Sequence, residues 1–308
     1  MELPRLRSVR VYFSKATQHL KCWAIINRPL RGLLMDVNLY LQRLNYTGPT
    51  TPTAETLRQL QLAHLQTVPF ENLSIHSQEP IVLNDDALFE KIVVKHRGGF
   101  CYELNGLFAS LLRSLGFEVT MLSARVANDA GEFGPEFDHM TLLVTAPGAP
   151  QQRWLADVGF GDSFNEPLLL DVREEQVQGE HAYRIDPVAD HLILWARADG
   201  GDWHPEYRFT LEPREFPDYE EMCHFHQTSP QSHFTKAPMC SRLTNEGRIT
   251  LSGMRFITTQ RGVREEREVS DQAEVNKLLQ EEFGIPQVSQ MNSRRVRRLK
   301  MVFGTGTE

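Results

Sequence analysis

The sequence predicts an α+β protein in which helices come first and strands later. Two observations carry that expectation. Between residues 36 and 116, apolar residues recur at helical spacing in four successive stretches. From Phe117 onward that spacing stops and short alternating runs, separated by Gly/Pro turns, take over. Segregated helices and strands argue against alternating βαβ units and a parallel sheet.

The helical part begins with Val37, Tyr40, Leu41 and Leu44. A second helix, capped by Thr53, carries Leu57 and Leu60 and ends before Pro69. Val68–Leu73 reads as an extended or turn segment because of its proline. Asn84 caps a third helix, with Asp85 and Asp86 in its first turn and Leu88, Phe89, Ile92, Val93 and His96 on its face. The fourth opens at Cys101, after Arg97-Gly98-Gly99-Phe100. Its apolar face is Leu104, Leu107, Phe108, Leu111, Leu112 and Leu115, and Gly116 stops it.

Phe117 to Asn128 reads as a strand. The loop 129–137 follows, then a strand from His139 to Ala146. After the Pro147–Pro150 turn comes a strand over Trp154–Val158, ending in Gly159-Phe160-Gly161. Further strands are expected at 181–186, 191–197, 203–211, 248–252, 254–259 and 263–269. Asp271 and Glu274 form a capping box for a last helix bearing Val275, Leu278, Leu279 and Phe283, closed by Gly284.

Composition is that of a globular protein, with 41% hydrophobic and 24% charged residues. No run of 18 apolar residues is present, which gives no candidate membrane helix. The four cysteines (Cys22, Cys101, Cys223, Cys240) are too dispersed for a disulfide framework, so a reducing cytoplasmic setting is expected. Of the 40 acidic residues, all but Glu2 and Glu308 lie between residues 35 and 286. An acidic body with basic ends does not suit a nucleic-acid binder. Residues 1–34 read as a basic extension outside the fold, with Met35 as the original start. An organellar transit segment is the other reading of their Arg-rich composition. Residues 287–308, with Arg294-Arg295-Val296-Arg297-Arg298, read as a solvated tail.

Cys101 carries the most chemical promise. At the first turn of a buried helix, unpaired N–H groups and the positive dipole end favour an anion. Arg97 is expected to add a cation, and Gly98 and Gly99 to supply backbone angles closed to other residues. A nucleophilic cysteine needs a base, and that base needs an orienting group. His139 opens a strand after a Gly/Pro loop, and Asp157 lies on the next strand, within about 5 Å across a hairpin. Asp138 is the rival orienter, but alternation turns it away from His139. The oxyanion donors are expected among the backbone N–H groups near Cys101 or Met140.

A zinc-type set, Cys223, His224, His226 and Cys240, matches neither CxxC nor HExxH spacing. Ordinary core and surface residues describe it better, and no metal is expected. There is no Walker loop and no GxGxxG.

Pro69-Phe70-Glu71-Asn72-Leu73, Arg97-Gly98-Gly99-Phe100-Cys101 and Asp157-Val158-Gly159-Phe160-Gly161 resemble the three signature blocks of the arylamine N-acetyltransferases. The 38-residue interval from Cys101 to His139 is similar to theirs. Asp218-Tyr219, Ser229-Pro230-Gln231-Ser232-His233-Phe234 and Ser241-Arg242-Leu243-Thr244 also look like family features. The resemblance spans about residues 36–285. The His–Asp interval of 18 is slightly long, which lengthens a turn without endangering the triad.

The resemblance implies a helical bundle (35–116), a β-barrel (117–220) and an α/β lid (221–286), with a Cys–His–Asp core like that of papain-like and transglutaminase enzymes. It implies acetyl-CoA as donor and arylamines, arylhydroxylamines and hydrazines as acceptors. By position, Glu71 and Arg97 look like a structural ion pair beside the nucleophile. Tyr102, Phe160 and Phe234 look like the aromatic lining of the acceptor pocket. The runners-up are a transglutaminase-like amidase or amide synthase on the same triad, and a non-enzymatic zinc-binding interaction protein.

Overall fold

A computed structural model describes residues 35–198 and 200–286. The readings made for the two basic ends lie outside these residues. The first segment contains α1 (Val37–Arg43), α2 (Ala54–Thr67), β1 (Phe70–Glu71), α3 (Leu73–Ser77), α4 (Asp85–Phe89) and α5 (Cys101–Ser114). The caps work as the sequence suggests: the Asp36, Thr53 and Asn84 side chains accept the N–H of Leu39, Thr56 and Ala87. The third expected helix is α4 followed by a π-helical turn, Glu90–Val94. α3 lies where an extended segment was expected to end.

α5 is the centre of this part. Every residue from Cys101 to Leu112 except Ser110 is buried, so the helix is enclosed rather than amphipathic. Each large side chain on it that leaves water contributes about 1.5–3 kcal/mol. Its first turn is tied by Glu103 Oε2, which accepts the Phe100 N–H at 3.2 Å.

The strands β2 (Glu118–Val126), β3 (His139–Ala146), β4 (Ala149–Ala156), β5 (Leu168–Leu169), β6 (Gln176–Gln178), β7 (His181–Val188), β8 (His191–Ala198) and β9 (His204–Phe209) form one antiparallel sheet. Its order is β5-β4-β3-β2-β9-β8-β7-β6. The two ends of this order approach each other through side chains, giving a nearly closed barrel. Gln176 exchanges two hydrogen bonds with the Leu169 backbone, at 2.7 and 2.9 Å. Gln178 accepts the N–H groups of Asn165 and Glu166 and donates to the Glu166 carbonyl. Leu122, Leu155, Phe164, Ile185, Leu194, Tyr207 and Phe209 fill the interior. α5 packs on β2 and β3.

The third part contains α6 (Phe216–Thr228), β10 (Met239–Thr244), β11 (Gly247–Ser252), β12 (Arg255–Gln260), β13 (Val263–Glu268) and α7 (Gln272–Glu281). β1 pairs with β10, so the helical segment supplies the edge strand of this second sheet. The boundary expected at residue 220 falls inside α6. Among the described residues, no helix is long and apolar enough to cross a membrane.

Candidate active site

Cys101 is the first residue of α5 and is 3% exposed. Two glycines let the chain reach it, for a reason other than the expected one. Neither Gly98 nor Gly99 has a positive φ. What they supply is space: a Cβ on Gly98 would sit 1.9 Å from the Pro69 carbonyl oxygen, and one on Gly99 would sit 2.7 Å from the Glu103 side chain. Gly159 closes on the same residue from the other side. A Cβ there would meet Cys101 Cα at 2.8 Å.

Burial works against the ionisation that the helix terminus favours at Cys101. Burial pushes its thiol well above the ordinary range; the Met140 N–H pulls the other way, and the carboxylates of Asp138 and Asp157 add to the rise. Arg97 does not act as a free cation there. Its guanidinium is committed to Glu71 Oε1 (2.9 and 3.0 Å), Glu79 Oε2 (3.2 Å) and Ser74 Oγ (3.4 Å). Burial alone would raise the Glu71 carboxyl, but Lys91, Arg97 and the Leu73 N–H outweigh it and hold the carboxyl below its usual range. This buried ion pair braces the segment leading into Cys101, since the Glu71 N–H also bonds the Gly99 carbonyl.

His139 and Asp157 meet as a pair. His139 Nε2 lies 2.7 Å from Asp157 Oδ2, and both side chains are buried. With Nε2 turned to the carboxylate, Nδ1 is the ring nitrogen left to take a proton. Asp157 lies one residue beyond the end of β4 rather than inside a strand. Its Oδ1 accepts Asn105 Nδ2 (2.8 Å) and the Gly159 N–H (2.9 Å), and Tyr207 reaches Oδ2 at 3.2 Å. Burial opposes its charge, but the His139 ring and the bonds from His139, Asn105 and Gly159 outweigh that and lower its carboxyl. Met140, next to His139, aims its N–H at the Cys101 sulfur. His139 and a backbone donor thus come from adjacent positions at the start of β3.

Asp138 does turn away from His139. Its Oδ1 lies 3.3 Å from His226 Nε2 on α6.

The three aromatics do not form one contiguous stack. Phe160 packs on His139 (5.1 Å between centroids) and Tyr207 (5.2 Å). Phe234 packs on Phe100 and Phe70. Tyr102 is fully buried beside Phe100, with its hydroxyl donating to the Phe137 carbonyl at 2.5 Å. Asn72 fastens the Phe234 segment, donating to the Phe234 and Ala237 carbonyls and accepting the Met239 N–H.

The zinc-type set is dispersed. His224 and His226 lie two residues apart on α6, so one is exposed and the other buried. Cys240 sits in a separate core with Leu73, Ile249 and Leu279. Among the described residues, no three metal-ligating side chains converge.

Sequence reasoning missed Asn105, Gln61 and Tyr207. Asn105 stands four residues after Cys101, one turn along the same helix, and that spacing was readable. Gln61, which accepts the Asp157 N–H, and Tyr207 come from distant elements with no local signal.

A sequence model of the N-acetyltransferase family matches residues 53–291. An arylamine N-acetyltransferase of Mycolicibacterium smegmatis is 36% identical over 259 residues, covering 82% of this chain and 93% of the relative. A Salmonella typhimurium protein described as an arylamine N-acetyltransferase and N-hydroxyarylamine O-acetyltransferase is 35% identical, covering 81% of this chain and 88% of its own length. The structure of Mycobacterium marinum arylamine N-acetyltransferase in complex with CoA superposes with a TM-score of 0.78 at 34% identity, over 85% of this chain and 99% of that one. With this fold, these blocks and this coverage, the chain belongs to the arylamine N-acetyltransferase family of acyltransferases.

Proposed function

We propose that the chain transfers acetyl groups from acetyl-CoA to arylamines and hydrazines, and to the oxygen of arylhydroxylamines, by a ping-pong route through acetyl-Cys101. Acetyl-CoA is the donor in this family. Cys101 is the nucleophile, His139 the general base and then acid, and Asp157 the residue that orients His139. The observation that carries the reading is the 2.7 Å His139–Asp157 pair, whose carboxylate is also bonded by Asn105, one turn after Cys101 on α5.

In the first half-reaction His139 Nδ1 takes the Cys101 proton as sulfur attacks the thioester carbonyl. The carbonyl oxygen gains charge beside the Met140 N–H, which supports that group as an oxyanion donor. The bond to the CoA sulfur breaks, and that sulfur receives the proton. In the second half the amine attacks acetyl-Cys101, His139 accepts an amine proton, and the carbon–sulfur bond breaks as Cys101 is reprotonated. Each half-reaction ends with no net proton gained or lost, so a neutral resting thiol suits the cycle. Tyr102, Phe160 and Phe234 supply the aromatic surroundings that hold the acceptor and keep water from the thioester. Glu71 and Arg97 serve as the structural ion pair. The functional division is a helical bundle (35–116), a barrel that begins at 117 and a lid that takes in the whole of α6 and runs to 286. Free Cys101, Cys223 and Cys240 support a cytoplasmic location.

Cys101→Ala tests the assignment. The variant is expected to fold, to release no burst of CoA from acetyl-CoA without amine, and to take up no radiolabelled acetyl group. Undiminished covalent labelling would overturn the role of Cys101. Wild type showing no CoA burst would point instead to an amidase. A panel of arylamines, arylhydroxylamines and hydrazines reads acceptor choice.

A further inference from the structure

We propose that Lys91 is a positioning residue for Cys101: its backbone carbonyl holds Arg97 and its ammonium, through Glu103, holds Phe100, so one residue fixes both ends of the Gly98-Gly99 bend that leads into the nucleophile. The proposal rests on the reading of Cys101 as nucleophile.

Lys91 is the second residue of the π-helical turn Glu90–Val94. A π turn adds a residue to a helix at a cost in hydrogen-bond geometry, and such turns gather at functional sites. Here the Lys95 N–H bonds the Glu90 carbonyl at 2.9 Å, and the Arg97 N–H reaches back to the Lys91 carbonyl at 3.0 Å. Between Lys95 and Arg97, His96 takes a φ of 53°, in the left-handed region that a side chain disfavours. Strain of this kind persists only where the surroundings impose it. The Arg97–Lys91 bond spans the strained residue and turns the chain out of the helix and into the bend.

The Lys91 side chain crosses to the far end of the same bend. Its Nζ lies 2.7 Å from Glu103 Oε1, with the two side chains 16% and 1% exposed. The other carboxylate oxygen, Oε2, accepts the Phe100 N–H at 3.2 Å. It also fills the space left by Gly99, where a Cβ would come within 2.7 Å of it. Arg97 gives its guanidinium to Glu71, Glu79 and Ser74, so Lys91 is the cation left to Glu103. Burial drives the Glu103 carboxyl towards its neutral form; Lys91 is the strongest pull the other way, and Glu71 adds to the rise. A buried carboxylate that loses its cation is strongly destabilised where it stands. Without the ammonium, Glu103 is expected to turn away and release the Phe100 N–H, which frees the residue directly before Cys101.

The rate and half-saturation of the CoA burst from acetyl-CoA, measured on the full chain, test this. Lys91→Met is expected to slow the burst by about 10-fold while the half-saturating acetyl-CoA concentration stays within about twofold, because the nucleophile is displaced and the donor's own contacts are not. Lys91→Arg, which keeps a cation, is expected to recover most of the rate. So is Lys91→Met combined with Glu103→Gln, in which the amide oxygen still accepts the Phe100 N–H and carries no charge to compensate. Lys95→Met is the control: Lys95 is exposed, follows the same turn and lies 3.4 Å from Glu90, and its loss is expected to leave the burst unchanged. A wild-type burst rate in Lys91→Met, or a combined variant no faster than Lys91→Met alone, would overturn the proposal; a purely structural role would lower the melting temperature and leave the burst rate, read well below it, in place. If Lys91→Met does not fold, Lys91→Met/Glu103→Gln is compared with Lys91→Met/Glu103→Met, and equal burst rates overturn the proposal. Wild type with no CoA burst and no label at Cys101 would bring down the nucleophile reading itself.

Discussion

Asn105 joins α5, the helix that opens at Cys101, to Asp157. Its Nδ2 donates to Asp157 Oδ1 at 2.8 Å and to the Met140 carbonyl at 2.6 Å, and its Oδ1 accepts the Val158 N–H at 2.8 Å. One fully buried amide thus fixes three backbone or carboxylate groups around His139 and Asp157. Because Asn105 and Cys101 are one turn apart on α5, the distance between Cys101 and the His139–Asp157 pair is set by a rigid helix.

Asn105→Ala is expected to cost about 1–3 kcal/mol of stability, since the Met140 carbonyl and Val158 N–H lose their buried partner. The CoA burst is expected to slow by on the order of 10²-fold, because His139 then swings on a less constrained Asp157. Urea unfolding and burst kinetics measure the two effects. A burst rate close to that of wild type would reduce Asn105 to a structural role.

Gly159→Ala is expected to be more damaging than its one added methyl suggests. The Cβ would lie 2.8 Å from Cys101 Cα and from Asn105 Nδ2, and 3.0 Å from the Cys101 carbonyl. Two of these atoms are backbone and cannot rotate away, so the segment after Asp157 must lift off α5. A stability loss of about 1–3 kcal/mol is expected, with a larger proportional loss of burst rate. Gly148→Ala, at a hairpin tip where the Cβ meets nothing, is the matched control and is expected to be neutral.

These relationships show where sequence reading works. The α5 face, the alternation of β3 and the Gly-Phe-Gly rim are local patterns, and they bring Cys101, His139 and Asp157 into view. α6 was missed although Tyr219, Cys223 and His226 are spaced for one buried helical face. A cysteine and a histidine among its core residues disguised an ordinary amphipathic pattern as metal-ligand spacing. Gln61 and Tyr207 could not be seen, because each reaches the site from an element tens of residues away. What opposes ionisation of Cys101 was out of sight for the same reason. The helix terminus and Arg97 are near in sequence, whereas the burial and the carboxylates that oppose ionisation come from the tertiary fold.

His64 predicts an acid-sensitive helical segment. It is fully buried, with Nε2 on the Tyr40 hydroxyl at 3.0 Å. Burial, with a smaller contribution from Arg43, lowers its proton affinity to a pKa of about 3. The unfolded chain binds this proton near pH 6.5 and the folded one does not, so the stability from a neutral His64 is complete above pH 6.5 and drains away as pH falls towards 3. The slope approaches about 1.4 kcal/mol per pH unit within that window. Urea unfolding between pH 7.5 and 5 lies above the range of ordinary carboxylates, but Glu206, raised to about 7 by burial, and His96 and His233, lowered by burial, also titrate there, so the share of His64 is the difference between wild type and His64→Gln. His64→Gln is expected to flatten the profile there, and an unchanged slope would mean that another histidine is responsible.

The barrel seam gives the last prediction. Gln178 accepts the N–H groups of Asn165 and Glu166 at 2.9 and 3.0 Å and donates to the Glu166 carbonyl at 2.7 Å. Its side chain does what a neighbouring strand would do, where β5 and β6 are too short to pair. Gln178→Ala removes all three bonds, but the seam is partly open to water, which can replace some of them. The expected cost is therefore about 1–2 kcal/mol. Local opening is the sharper readout. Amide hydrogen exchange at Asn165, Glu166 and Leu169 is expected to speed up well before that of β3, while the CoA burst at low temperature stays near wild type, because β4 stands between the β5 edge of the seam and the strand that carries His139. Equal acceleration in β3 would mean that the seam closes the whole barrel as one cooperative unit.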